Sequence, residues 1–269
     1  MQNTALAEGA PEGQYDIRRG VSAYAPIVAA FGSLAVPAII VLFAIPPTDS
    51  PHMAAPNVAL AAGLLVIGML GSLLGAFALA AIGAERDPTA NLAAATMFAA
   101  IPVVLSVVSI LAAFAVLAAH YVPESSTLFV LIAGVGGLFG VGFTAFSIGD
   151  SPSLGPVDDA ARAKWATTQW LQSREKAYVS AYIVAGFGIV PIVVGMVVRL
   201  TADRLSVSVT VVNWIVGFGV VLAVTGTLFS VLKTAHPLDG VQRGLRPFEA
   251  FSSILAISLY TLVLMIWLP

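Results

Sequence analysis

The hydrophobic positions of this chain fall in long runs rather than in alternation. Seven apolar stretches, at about 21–45, 58–83, 92–119, 128–148, 177–200, 207–232 and 248–268, are separated by shorter polar intervals. Each is long enough to cross the ~30 Å hydrocarbon core of a bilayer as a helix rising ~1.5 Å per residue. Lipid offers the backbone no hydrogen-bond partner, so a spanning segment must satisfy its own N–H and C=O groups, which an α-helix does. A membrane barrel would instead show ~10-residue segments of alternating polarity. The pattern predicts an all-α integral membrane protein, a polytopic bundle of about seven transmembrane helices.

Composition agrees with the pattern. Of 269 residues, 59% are hydrophobic and 10% charged, where a soluble domain carries about 25% charged residues. Residues 1–20 are polar and read as a disordered cytoplasmic tail, and 21–269 as a single transmembrane helical domain with a cytoplasmic helical segment at about 150–176. The apolar run after Arg18 and Arg19 is longer than the ~7–15 residues of a signal-peptide core and lacks a small-x-small cleavage site, so it reads as an uncleaved first span. The net charge of −2 supplies no basic field for nucleic acid. With no cysteine, disulfides, thiolate nucleophiles and cysteine-ligated metals are excluded.

Basic residues set the expected orientation. The tail and the intervals 84–91, 149–176 and 233–247 hold 10 of the 12 Lys and Arg residues, and the opposite intervals hold Arg199 and Arg204. The positive-inside rule then places the N-terminus in the cytoplasm and, with seven spans, the C-terminus outside. The abundance of Ala, Gly and Val fits a bacterial or archaeal cytoplasmic membrane.

In lipid, helices associate through close backbone contact more than through any hydrophobic force. Three faces of small residues suit this: Gly68, Ser72 and Ala76 (with Ala80 beyond) in the second run, Gly136 and Gly140 in the fourth, and Gly219 and Ala223 in the sixth. Pro26, Pro37, Pro102 and Pro191 fall within runs and predict kinks. The polar segment 149–176 carries Arg162, Lys164, Trp165, Trp170, Arg174 and Lys176. These read as an interfacial anchor or as a docking surface for a soluble partner.

No ionisable residue falls well inside a run; Glu249 opens the seventh, and Arg199 and Lys233 sit at run ends, where long side chains snorkel to water. The buried-run hydroxyls, among them Ser106, Ser109, Thr144, Thr227, Ser258 and Thr261, are expected to bond back to their own helices. Asn213 is expected to bridge two helices. His52, His120, Asp49 and Glu124 share the outer face but lack ligand-type spacing, so no metal is expected. No nucleophile elbow, phosphate loop or HExxH occurs, so no catalytic residue and no cofactor is expected.

The hairpin 70–117, with its small-residue first helix, the turn Glu85–Arg86–Asp87–Pro88 and Ile101–Pro102 in its second helix, resembles the helical hairpins of rotary ATPase proteolipids. The sixth and seventh runs repeat the idea around Arg246, Pro247 and Phe248. The ion-carrying carboxylate of that family has no counterpart at 99–109 or 257–261.

These features point to a non-catalytic membrane subunit or scaffold of a larger complex, packing through its small-residue faces. The alternative is a permease component, an ATP-driven exporter or a facilitator of a small or apolar solute, with 150–176 coupling to a cytoplasmic ATPase. An intramembrane lipid enzyme would need positioned acids, bases or metals and ranks third. The absence of cysteine makes the orientation directly measurable. In sealed cells, Ser125→Cys should react with an impermeant maleimide, and Ser173→Cys only after permeabilisation. The reverse pattern would invert the assignment.

Overall fold

The computed structural model describes residues 17–44, 56–85, 92–121, 126–149, 169–201, 208–235 and 247–268. Among them are eight α-helices and no strand: α1 (Ile17–Ser33), α2 (Ala35–Ala44), α3 (Pro56–Ala84), α4 (Leu92–Tyr121), α5 (Ser126–Gly149), α6 (Gln169–Thr201), α7 (Val209–Ala235) and α8 (Pro247–Trp267). Six segments are long and apolar enough to cross a membrane, and α5 supplies a shorter apolar core, Val130–Ala145. The chain is a polytopic helical membrane protein.

The first span is made of α1 and α2, broken at Leu34. There the Leu34 N–H donates to the Phe31 carbonyl at 3.1 Å, and Ser33 Oγ donates to the Ala30 carbonyl at 2.6 Å. Pro37 has no N–H to give the Ser33 carbonyl four residues back, which is why the ladder fails at this point. Pro26, Pro102 and Pro191 lie inside helices that continue past them, so the kinks expected at these positions do not interrupt α1, α4 or α6.

Successive spans run in alternating directions. Along α3, Gly68 faces Ile110 while Gly75 faces Val103, so α3 and α4 are antiparallel. Along α5, Gly136 faces Leu111 while Gly140 faces Val104, and α5 is likewise antiparallel to α4. By contrast, Gly188 of α6 faces Ile254 of α8 and Gly195 faces Met265, so these two helices are parallel. The ends carrying the basic intervals therefore lie together.

α4 is the centre of the bundle. Of its apolar window, 72% is buried within the bundle, against 28% for α6 at the rim. α3, α5, α7 and α8 all pack on α4, α1 lies against α3, and α6 lies against α5 and α8. The approach to α4 is close because side chains are missing. A Cβ on Gly71 would stand 2.7 Å from the Pro102 carbonyl oxygen, and one on Gly140 would overlap the Val104 side chain. Gly226 of α7 comes equally near, with 3.0 Å between its notional Cβ and the Phe98 carbonyl oxygen.

The outward surface is apolar, as lipid demands. Phe139, Tyr182, Phe187, Trp214 and Phe248 are all exposed from the bundle, and in a soluble protein so wide an apolar surface would drive aggregation. They contact the lipid bilayer.

Glycine positions can be tested against one another. Gly71→Ala should destabilise the protein by about 1–3 kcal/mol, because the Pro102 backbone cannot move aside as a flexible side chain would. Gly217, with nothing within 4 Å of a notional Cβ, should tolerate Ala or gain up to ~1 kcal/mol from helix propensity. Thermal unfolding of both variants in detergent measures the difference, and equal effects would refute the seam.

Candidate functional site

The interior polar groups meet α4 at mid-depth. Ser106 and Ser109 lie three residues apart near the middle of this 30-residue helix, so they diverge by ~60° and reach different neighbours. Ser106 Oγ donates to the Gly68 carbonyl of α3 at 2.6 Å, and Ser72 Oγ lies 2.5 Å from Ser106 Oγ. A hydroxyl has one proton; since that of Ser106 is committed to Gly68, Ser72 must be the donor in the second bond. Ser109 Oγ meets Tyr260 Oη of α8 at 2.7 Å, both groups fully buried. The Tyr260 ring lies against Gly219 of α7 and tilts against Phe218, with ring centroids 6.3 Å apart. Three serines and one phenol thus tie α3, α4 and α8 together, with α7 resting on the tyrosine.

Most threonines behave as expected and bond back along their own helices. Thr144 Oγ1 donates to the Gly140 carbonyl, Thr227 to Ala223 and Thr261 to Ile257, each within 2.9 Å. The serines of α3 and α4 do not: the expectation of back-bonding fails at Ser106 and Ser109, because the glycine-lined approach of α3 brings the Gly68 carbonyl, and α8 the Tyr260 hydroxyl, within hydrogen-bond reach across the helix gap. Two further buried hydroxyls, Ser230 and Ser258, have no hydrogen-bond partner.

At the end of the bundle that carries the basic intervals, Lys233 Nζ lies 2.5 Å from Glu249 Oε1. The carboxylate side chain is 5% exposed and that of the lysine 30%. Lys233, at the run end where a long side chain can snorkel, keeps part of that side chain exposed while its ammonium meets a carboxylate in the first turn of α8, where the helix dipole also favours negative charge. Ser253 Oγ and Ser252 Oγ donate to the Glu249 carbonyl at 2.9 and 3.2 Å.

The small-residue positions are placed as follows. Gly68 packs on Ile110, Ser72 lies against Gly32 of α1 and bonds Ser106, and Ala76 is half-buried while Ala80 is exposed. The face that α3 turns to α4 therefore follows Gly68, Gly71 and Gly75 rather than a strict four-residue stripe. Gly136 and Gly140 meet α4, Gly219 meets Ile67 and Tyr260, and Ala223 is fully buried. Asn213 does not bridge helices. The buried face of α7 runs through Val212, Ile215, Gly219 and Ala223, and one residue of offset, ~100°, turns Asn213 outward beside the exposed Trp214.

Arg162, Lys164 and Trp165 lie outside the described residues, as do His52, Asp49 and Glu124; Trp170, Arg174 and Lys176 belong to α6, but their side chains are not among those described, nor is that of His120. Among the described residues no cluster of three or more His, Asp or Glu side chains has metal-binding geometry.

Sequence reasoning missed Tyr260 and the Lys233–Glu249 pairing. The signal for the first was available: a tyrosine deep inside an apolar run, away from the headgroup level that tyrosine favours, needs a polar partner for its hydroxyl. For the second, the opposite charges flanking the last interval were the only clue. Comparison with protein-family models, with curated proteins and with solved structures finds no match.

The serine tie has a directional test. Ser106→Ala removes two bonds and orphans Ser72, whereas Ser72→Ala leaves Ser106 bonded to Gly68. The first should cost about 1–2 kcal/mol and the second about 0.5 kcal/mol, within the range for interhelical bonds in membranes. Reversible unfolding in bicelles reads both, and the opposite order would exclude the assigned donor directions.

Proposed function

We propose that the chain is a non-catalytic polytopic subunit or scaffold of a larger membrane protein complex, seated in a cytoplasmic membrane with its N-terminus inside. The observation that carries this reading is the outward face of α7. Asn213 and Thr225 face away from the bundle there, with Gly217 between them opening a notch beside Trp214. Asn213 lies about one turn inside the end of α7, and amides and small residues are what membrane helices use to associate. The interior supports the same reading from the other side. Ser72, Ser106, Ser109 and Tyr260 are engaged across the helix gaps, and the glycine seams of α3 and α5 are spent on α4. Partners would therefore meet the rim, on α7 and α6, and not the small-residue faces that pack inside.

A second reading, a permease component coupled through 150–176 to a cytoplasmic ATPase, is favoured by the length of α6. This helix has 33 residues, ~50 Å, of which the apolar span Val179–Thr201 accounts for 23. The remaining turns continue the span as one helix toward the polar segment, which suits transmission of a push.

Extraction from source membranes into native nanodiscs, followed by native mass measurement and proteomics, separates the two. The subunit reading expects membrane proteins at a fixed ratio, reduced at least tenfold by Asn213→Leu together with Gly217→Ile. Recovery of a monomer alone would overturn it, and recovery with only a cytoplasmic ATPase would favour the permease.

A further inference from the structure

Pro102 interrupts the hydrogen-bond ladder of the central helix. It lies inside α4 and has no N–H to give the Phe98 carbonyl four residues back. That oxygen faces α7: a Cβ on Gly226 would stand 3.0 Å from it, and about as near the Ile101 and Pro102 side chains. Gly226 presents a Cα–H to the carbonyl, a much weaker donor than the missing N–H. Inside a membrane protein an acceptor left in this way is costly, because lipid cannot bond it.

A donor without an acceptor lies close by. Ser230 is on the same buried face of α7, one turn beyond Gly226, and its hydroxyl is fully buried with no hydrogen-bond partner. Its neighbours on that face behave otherwise, Thr227 Oγ1 donating to the Ala223 carbonyl and Thr234 Oγ1 to the Val231 carbonyl. The Cα–Cβ bonds of a helix tilt toward its N-terminus, so the Ser230 side chain leans back over Gly226, where no side chain stands in the way. Hydroxyl and carbonyl are thus about one helical turn apart, ~5 Å. That is too far for a direct bond and within the reach of two bonds of ~2.8 Å through one shared oxygen.

We infer that a single water molecule is bound between α4 and α7, held by Ser230 Oγ and the Phe98 carbonyl. Ser230 donates to the water, and the water donates one proton to Phe98. Its second proton goes to the Gly226 carbonyl, which lies below Ser230 in the same helix and keeps one lone pair beside its backbone bond. Three bonds are what a buried water ordinarily makes. The water ties α7 to α4 as Ser106 ties α3 to α4, in a seam whose neighbouring contact, Phe229 at 5.4 Å from Phe98, is apolar. The inference is independent of the subunit reading.

Ser258, the other buried hydroxyl without a partner, has no such setting. It faces Gly188 of α6 among methyl groups of Ile254 and Val141. The carbonyl that Pro191 leaves open on α6 belongs to Phe187, a residue turned to the rim.

Two measurements on the full chain test the site. A density map from lipidic-phase crystals, at a resolution that shows ordered water, should hold one peak within ~3 Å of both Ser230 Oγ and the Phe98 carbonyl oxygen. No peak there, or a Ser230 hydroxyl rotated onto the Gly226 carbonyl, overturns the proposal. Reversible unfolding in bicelles reads the energetics. Ser230→Ala should raise the unfolding equilibrium constant about fivefold. In a Pro102→Ala background the ladder regains its N–H and the water loses its acceptor, so the same change should have less than about a twofold effect. Ser258→Ala should leave the constant unchanged or lower it. Equal effects of Ser230→Ala in the two backgrounds overturn the proposal. So does a loss at Ser258→Ala as large as that at Ser230→Ala, since the cost is then that of removing any buried hydroxyl.

Discussion

In a bilayer no hydrophobic force draws one helix onto another, because the lipid tails are as apolar as the side chains they would leave. The bundle therefore depends on how near the backbones of α3, α5 and α7 come to α4. Gly68, Gly71 and Gly75 remove the side chains from one flank, Gly136 and Gly140 from a second, and Gly226 from a third. Each missing Cβ lets dispersion contacts accumulate across the gap, individually ~0.1–0.2 kcal/mol but numerous. The same nearness brings carbonyl groups such as that of Gly68 within reach of hydroxyls on the neighbouring helix. Close packing thus comes first and the polar ties follow from it.

Those ties are graded by depth. At mid-bundle they are neutral, formed by Ser72, Ser106, Ser109 and Tyr260. The Lys233–Glu249 ion pair sits at the end of the bundle, where Lys233 keeps part of its side chain exposed. A charge at the centre of the bilayer costs several kcal/mol, and that cost falls toward the interface. Hydroxyls have no such penalty once bonded. The ordering places neutral bonds in the middle of the molecule and charge at its edge.

The rim follows the opposite rule. α6 presents Tyr182, Phe187 and a series of valines outward, and α7 presents Trp214 and Leu228. Against this apolar background the outward Asn213 and Gly217 on α7 stand apart chemically. The seams on α4 make a close-packed interior, while the face of α7 interrupts an otherwise apolar rim.

How much of this was legible in the sequence depends on the kind of information involved. Helix number, position and membrane residence follow from run length and backbone satisfaction, and the helices α3 to α8 fall where the apolar runs lie because those constraints act along one segment at a time. Even the break ahead of Pro37 is local, being a missing N–H. The choice of which face of α3 meets α4, the outward turn of Asn213, the pairing of Ser109 with Tyr260 and of Lys233 with Glu249 are different in kind. Each depends on the rotation of one helix about its axis relative to another, and a few tens of degrees exchanges a buried group for an exposed one. Small residues are distributed round several faces of α3 and α5, so their spacing leaves that rotation open. Only the simultaneous packing of four helices on α4 decides it.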